Sequence, residues 1–288
     1  MYRALKISKQ AVHKGIQRLQ QTKDEQMQVL KLIYEIRSDH PTMGMRDMYY
    51  KMRPKSMGRD AFERFCNEWS LQSRKAKNHR RTTDSSGVVR FENLINAIEC
   101  KEVNHVWQSD ITYFEVRGIF YYITFIQDAF SRRIIGHHTS KRLFTEDTTL
   151  PALKKAINVR QKLDLTGLIF HSDGGGQYYD KAFLELTQKN HIQNSMCEYA
   201  WENGKAERLN GVIKNNYLQH RSINSFEELV KEVDRSVHLY NEEKPHIALQ
   251  RKTPTTFEKE LIDLGKQTKP KMTESLDAKR QIFGASSP

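Results

Sequence analysis

Apolar positions change their period along this 288-residue chain. Met27, Leu30, Leu32, Ile33 and Ile36 recur at helical spacing and predict a helix that Pro41 and Gly44 stop. Before it, Ser8 is placed to cap a helix that carries Lys9, Gln10, His13 and Lys14 outward. Two more short helices are expected, around residues 46–52 and 60–69. Short helices joined by tight turns, with Arg59 and Arg64 on a candidate recognition helix, read as one or two helix-turn-helix units. Beyond a small-residue stretch at 82–87 the pattern becomes that of strands. Residues 106–116, 120–126 and 132–139 are rich in β-branched and aromatic side chains, and Gly118 turns the first into the second, so an antiparallel meander is predicted. Residues 145–161 then read as a helix with Leu150, Leu153, Ala156 and Ile157 on one face, and 168–172 as a short buried strand. Strands, a helix, a strand and further helices predict an α/β unit, a mixed sheet with helices packed on it, preceded by an all-α region.

Charge sharpens this division. Residues 1–90 hold 20 of the 47 Lys and Arg but 9 of the 35 Asp and Glu, so nearly all of the net charge of +12 lies there. A polyanion such as DNA gains from counterion release on such a surface. Arg74, Lys75, Lys77, Arg80 and Arg81 form a basic arm after the last short helix. The expected boundaries are a helix-turn-helix DNA-binding region at 1–85, a linker at 86–100, a catalytic domain at 101–262 and a basic polar tail at 263–288. No stretch approaches the roughly 20 apolar residues of a membrane helix, and the first residues lack the apolar core of a secretion signal. A cytoplasmic location and no membrane partner are expected. Cys66, Cys100 and Cys197 lie far apart, which argues against a disulfide framework or a cysteine zinc site.

Three carboxylates stand out. Asp110 lies within the first strand, in Trp107-Gln108-Ser109-Asp110-Ile111-Thr112-Tyr113, and Asp173 follows the short strand where glycines 174, 175 and 176 release the backbone. Desolvating a strand-end carboxylate is unfavourable without a cation beside it. Glu207 is the third, on a helix whose Ala206, Leu209, Val212 and Ile213 would face the sheet while Glu207, Asn210 and Lys214 share a neighbouring face. Oxygen ligands suit Mg²⁺ or Mn²⁺, and a pair of such ions can serve phosphodiester hydrolysis or transesterification. Taken singly, each acid is as well explained as a turn cap or a surface charge; the set is not. Gln177 and Tyr178 are candidate DNA contacts beside Asp173. Asp128 reads as a structural partner of the following turn, and His171 is a candidate both for positioning a phosphate and for a core histidine bonded to backbone. No G-K-[ST] follows the glycine run, so no nucleotide cofactor is implied.

In order, these motifs, W-x-x-D-I-T-Y, H-S-D-x-G-x-Q-Y and E-N-x-x-A-E with a lysine seven residues on, resemble the DDE core of retroviral integrases. They are most similar to transposases encoded by the second reading frame of two-frame bacterial insertion sequences. The stretch from Tyr240 through Pro245, His246 and Leu249 to Thr253-Pro254 is similar to a later signature of that family. The resemblance implies an RNase H-like fold with a five-stranded mixed sheet. It also implies two Mg²⁺ (or Mn²⁺) ions per active site, held by Asp110, Asp173 and Glu207, with Lys214 as the family's basic residue. Further implications are double-stranded DNA as partner, both element ends and target, a homo-oligomer on that DNA, and an upstream first-frame product, fused by frameshifting, as a candidate partner. One departure is the gap from Asp173 to Glu207, where 33 residues intervene instead of the family's usual 35. That places a shortened loop near residues 195–201. Two alternatives stay open: a nuclease of the same fold that cuts without joining, and a non-catalytic DNA-binding repressor.

Overall fold

The computed structural model describes residues 8–73, 91–96, 98–160, 163–197 and 200–268. The basic arm, with Arg74, Lys75, Lys77, Arg80 and Arg81, and the small-residue stretch at 82–87 lie outside the described residues.

The helical region is built from α1 (Lys9–Asp39), α2 (Met45–Met52) and α3 (Arg59–Glu68). The sequence predicts a short helix and then a longer one before Pro41; a single 31-residue helix replaces both. Gly15 and the polar run after it do not stop a helix, because no proline or left-handed residue intervenes. Ser8 caps α1 as expected, its hydroxyl accepting from the Ala11 amide at 3.1 Å. The core of this unit joins Val29, Leu30 and Ile33 of α1 to Met48 of α2 and Phe62, Phe65 and Cys66 of α3. Lys9 and Gln10 are exposed on the first turn of α1. Arg59 and Arg64 are exposed on α3, with Arg59 2.8 Å from the carboxylate of its neighbour Asp60.

The second unit is a five-stranded sheet formed by β1 (Val106–Val116), β2 (Ile119–Asp128), β3 (Ile134–Ser140), β4 (Ile169–Ser172) and β5 (Gln193–Met196). The strand order is β3-β2-β1-β4-β5, with β1, β2 and β3 antiparallel and β4 and β5 parallel to β1. Alternation along the strands makes two cores. On one face Trp107, Ile126 and Phe170 pack against α4 (Thr149–Val159) and α5 (Lys181–Lys189) through Ala152, Leu153, Ala156 and Phe183. On the other, Val116, Ile123 and Phe125 meet Leu209 and Ile213 of α6 (Gly204–Asn216) and Leu229 and Val233 of α7 (Phe226–His238). This is the RNase H-like arrangement, a mixed sheet flanked by helices after a helical N-terminal region.

Two expected boundaries move. The described part of the stretch at 91–100 is not a free linker: Leu94, Ile95 and Cys100 pack on Val106, Ala129 and Ile169, and the Leu94 amide donates to the Ser195 hydroxyl at 2.9 Å. At the other end, α8 (Pro254–Thr268) continues past 262. It is tied to the sheet by a buried ion network: Glu258 accepts from Arg160 at 2.5 and 2.9 Å, from Arg133 at 2.7 Å and from the Ser131 hydroxyl at 2.6 Å.

Candidate active site

β1 is the hinge of the site because it is the central strand. It pairs in parallel with β4 in the register Gln108↔His171. Two residues further on, the same register sets Asp110 beside Asp173, on the face that α6 covers. Asp173 is held where β4 ends: the Gly175 amide donates to its Oδ1 at 3.2 Å, and a Cβ at Gly175 would stand 3.1 Å from that oxygen. Glycine there leaves room for the carboxylate.

Helix α6 is aimed at this pair from its first residue. The Asn203 side chain donates to the backbone carbonyl of Ser109 at 2.9 Å, fixing the helix start next to Asp110. One face of α6 then delivers Asn210, whose Nδ2 donates to Asp110 Oδ2 at 2.8 Å, and Lys214, whose Nζ lies 3.3 Å from Thr112 Oγ1 and 4.7 Å from the Tyr113 ring centre. Asn210 is the functional residue missing from the sequence candidates. Its place three residues after Glu207 on one helix face is the signal that marks it.

The electrostatics are those of crowded carboxylates. Burial, then the charge of Asp173, with a further push from Glu207, raises the Asp110 carboxyl to about 8, against the pull of the Ile111 amide and Asn210. Burial raises Asp173 as well, with Glu207 adding and the Gly175 amide opposing. Burial lowers Lys214, while Tyr113 and Asp110 draw it back up. An all-oxygen anionic cluster that resists its own ionisation fits a hard divalent cation. Among the described residues, however, no three His, Cys, Asp or Glu side chains already converge tightly enough to hold an ion together. The expected three-carboxylate cage is therefore open. Glu207 stands exposed in the first turn of α6, within electrostatic reach of both aspartates.

The remaining candidates separate. Tyr178, expected as a DNA contact, is a core residue 2% exposed: its ring packs on Phe170 and Phe183 and its hydroxyl lies 3.0 Å from that of Ser109. The 3-10 turn at Gly176–Tyr178 rotates it inward beneath β1. Gln177 is half-buried, with its Nε2 donating to the Leu143 carbonyl at 3.0 Å. His171 is fully buried with Nδ1 3.0 Å from the Ser195 hydroxyl, and burial lowers its pKa to about 4. Asp128 caps its turn, accepting from the amides of Phe130 and Ser131 at 3.0 and 2.9 Å. The loop expected to be short falls partly on residues 198–199, outside the described residues.

Comparison with known proteins points to a family. Two family models, each described as an integrase core domain, match residues 101–200 and 190–254. A 31 kDa protein of insertion element IS600 from Shigella sonnei is 26% identical over 241 residues, 81% of this chain and 87% of its own length. The transposase for insertion sequence element IS904 from Lactococcus lactis subsp. lactis is 28% identical over 174 residues, 58% of this chain and 66% of its own length, just under two thirds. The integrase catalytic core domain of HTLV-2, solved with magnesium in a trimeric form, aligns with 54% of this chain and 95% of its own at 22% identity and a TM-score of 0.43. The strand order carries the fold, and the family matches carry the kinship: this chain belongs to the integrase-core transposases of bacterial insertion sequences.

Proposed function

We propose that this protein cuts DNA at the ends of its insertion sequence and joins the freed 3′ ends to target DNA, working as a homo-oligomer because two ends must be joined. The observation that supports the reading best is the placement of Asp110, on β1, near Asp173, just past the end of the neighbouring strand β4, with Asn210 of α6 bonded to Asp110 and Lys214 on the same helix close by. In this reading Asp110 and Asp173 hold the divalent ions and Glu207 closes the set as third oxygen donor. Mg²⁺ or Mn²⁺ bound there, two per site, would supply Lewis acidity for phosphodiester hydrolysis and transesterification. Asn210 orients Asp110 through its 2.8 Å hydrogen bond, and the Gly175 amide does the same for Asp173. Lys214, held over Tyr113 at the rim, offers its ammonium to a phosphate oxygen as charge builds there. Lys9, Gln10, Arg59 and Arg64 are exposed for recognition of the terminal repeats.

Asp110→Asn tests the assignment. Cleavage of a terminal-repeat duplex in Mg²⁺ or Mn²⁺ is expected to vanish while binding to the same duplex persists; cleavage at the wild-type rate overturns the role of Asp110. A pre-cut 3′ end offered to a target duplex tests joining separately, and cutting without joining makes the protein a nuclease.

A further inference from the structure

Helix α6 has a second functional face. Lys205 and Lys214 are nine residues apart, which at about 100° per residue sets them on opposite sides of the helix. Lys214 lies on the Asp110 side, 3.3 Å from Thr112 Oγ1; Lys205 opens into a groove of about 610 Å³ whose lining includes Arg132, Arg208, Asn216 and Lys244. Asp47 of α2 also lines it, so the groove lies where the helical region meets the catalytic unit. Among the described residues, Arg132, Lys205, Arg208 and Lys244 make no ion pair, and Asp47 is engaged by Arg251.

Positive charge is therefore crowded here without its counterions. Burial lowers the Lys205 ammonium, and Arg132 lowers it further against smaller pulls from Cys100 and Asp128. Burial lowers Lys244 too, with Asp47 opposing and Arg208 and Arg251 adding to the effect. Arg132 adopts φ of 62°, a left-handed conformation that costs a residue with a Cβ roughly 1–2 kcal/mol. Its turn is fixed by the Asp128 cap described above. Arg132, Lys205 and Lys244 are half-buried and Arg208 is exposed, and half-buried cations without partners are costly unless an anion arrives.

The groove also says what kind of anion. Two guanidiniums match phosphate oxygens in a bidentate manner. Of the two rings on the lining, Tyr240 is 5% exposed and stands edge-on to the half-buried His246 at 4.6 Å, so Tyr240 offers no face on which a base could stack. A free nucleotide or a single strand, which are held by stacking, is poorly served. A duplex, which keeps its bases inside and presents phosphates, is well served.

We propose that the groove lined by Arg132, Lys205, Arg208 and Lys244 anchors the phosphodiester backbone of duplex DNA, on the opposite side of α6 from the carboxylates. The anchor rests on the reading that DNA is the substrate but not on which carboxylates do the chemistry. It fixes the duplex against both units at once and leaves the scissile bond to the other face.

The test uses the full-length chain and a fluorescent duplex carrying the terminal repeat, titrated at several salt concentrations. The variants are Arg208→Gln with Lys244→Gln, and Lys205→Gln with Arg208→Gln; exposed Lys141→Gln serves as control. Each double variant is expected to bind about tenfold more weakly and to reduce the slope of log K against log salt by about 0.9 for every phosphate it no longer neutralises. The control is expected to match wild type. Unaltered affinity and slope in both double variants, with wild-type unfolding midpoints, overturn the anchor alone. Failure of the wild-type protein to bind any duplex overturns both the anchor and the DNA reading. Stabilisation by inorganic phosphate, or competition by polyglutamate, that the variants abolish while DNA binding is unaltered assigns the groove to another anion and overturns the proposal.

Discussion

His246 sits where a charge would be unwelcome. Burial, then the neighbouring Lys244 ammonium, and more weakly Arg132, lower its pKa to about 3, against one favourable hydrogen bond to the Tyr240 backbone. The ring is neutral in the folded chain and titrates near 6.5 once unfolded. Its contribution to stability is therefore complete above pH 6.5 and is lost as pH falls from there toward 3. His246→Gln removes this dependence, so the stability gap between wild type and variant is expected to narrow as pH drops. Urea midpoints at pH 7.5, 6 and 5 measure it, and a gap that widens contradicts the burial account. Asp110 acts in the opposite sense between 3.8 and about 8, because its folded carboxyl keeps its proton longer; comparing the two proteins at each pH cancels that background. At this scale the sequence is legible where geometry is local. Asp110 and Asp173 are readable because a strand and a glycine run fix where each backbone goes. Tyr178 is not, since the residue three after a glycine can turn toward DNA or toward the core, and only the neighbouring Phe170 and Phe183 decide. Glu207 is readable as a helix residue near the site, but its rotamer and exposure are set by packing that spacing does not encode.

Among the elements, α4 is seated tightly against β3 at Gly136. At Gly136 a Cβ would lie 2.4 Å from the Ala152 carbonyl oxygen and 2.9 Å from the Ala156 Cβ. Small residues on both sides bring backbone against sheet. Gly136→Ala must push the helix away, and a loss of about 1–3 kcal/mol is expected from the usual cost of overpacking. Denaturant unfolding would register it, and an unchanged midpoint would mean α4 is not seated as described. The strands and most helices are legible because their apolar residues repeat at period 2 or 3.6 over several turns. The join between two predicted helices is not: the run from Gln17 to Gln26 has Leu19 as its one apolar residue and shows no apolar period, and only the absence of a breaker lets α1 pass through it. The stretch at 91–100 misleads for a related reason. Its apolar residues, Leu94, Ile95 and Cys100, are too few to show a period, yet they cover the starts of β1 and β4.

Across the whole molecule, the two units meet along an ionic seam. Lys51 donates to Glu243 at 2.8 Å, and His40 stands 3.3 Å from the same carboxylate and 3.2 Å from the Tyr217 hydroxyl. Arg221 donates to the carbonyls of Ser38 and Asp39 at 2.8 and 3.1 Å, and Arg235 to the Asp39 carboxylate at 2.5 Å. A seam of partly exposed charge is weak per pair and sensitive to salt. Glu243→Gln is expected to speed amide exchange in α2, less so as salt rises and screens the same pair in the wild type, while β1 keeps its protection; equal exchange in wild type and variant at low salt would show that other contacts hold the units together. None of these pairs spans neighbouring positions in the chain, so no periodicity announces the seam.

The long first helix has a thermodynamic consequence. Its 31 residues span about 46 Å at 1.5 Å each, yet its buried side chains are Val29, Leu30 and Ile33. Packing there supplies the nucleus, and every turn added toward Lys9 needs only propagation, a step close to thermal neutrality. Gly15, with nothing within 4 Å of where a Cβ would be, is the weakest link, at a cost of roughly 1 kcal/mol relative to alanine. The free half of the helix is thus a coil-to-helix equilibrium suspended from a folded anchor. Its order declines gradually on warming, while the sheet behind it melts in a single step.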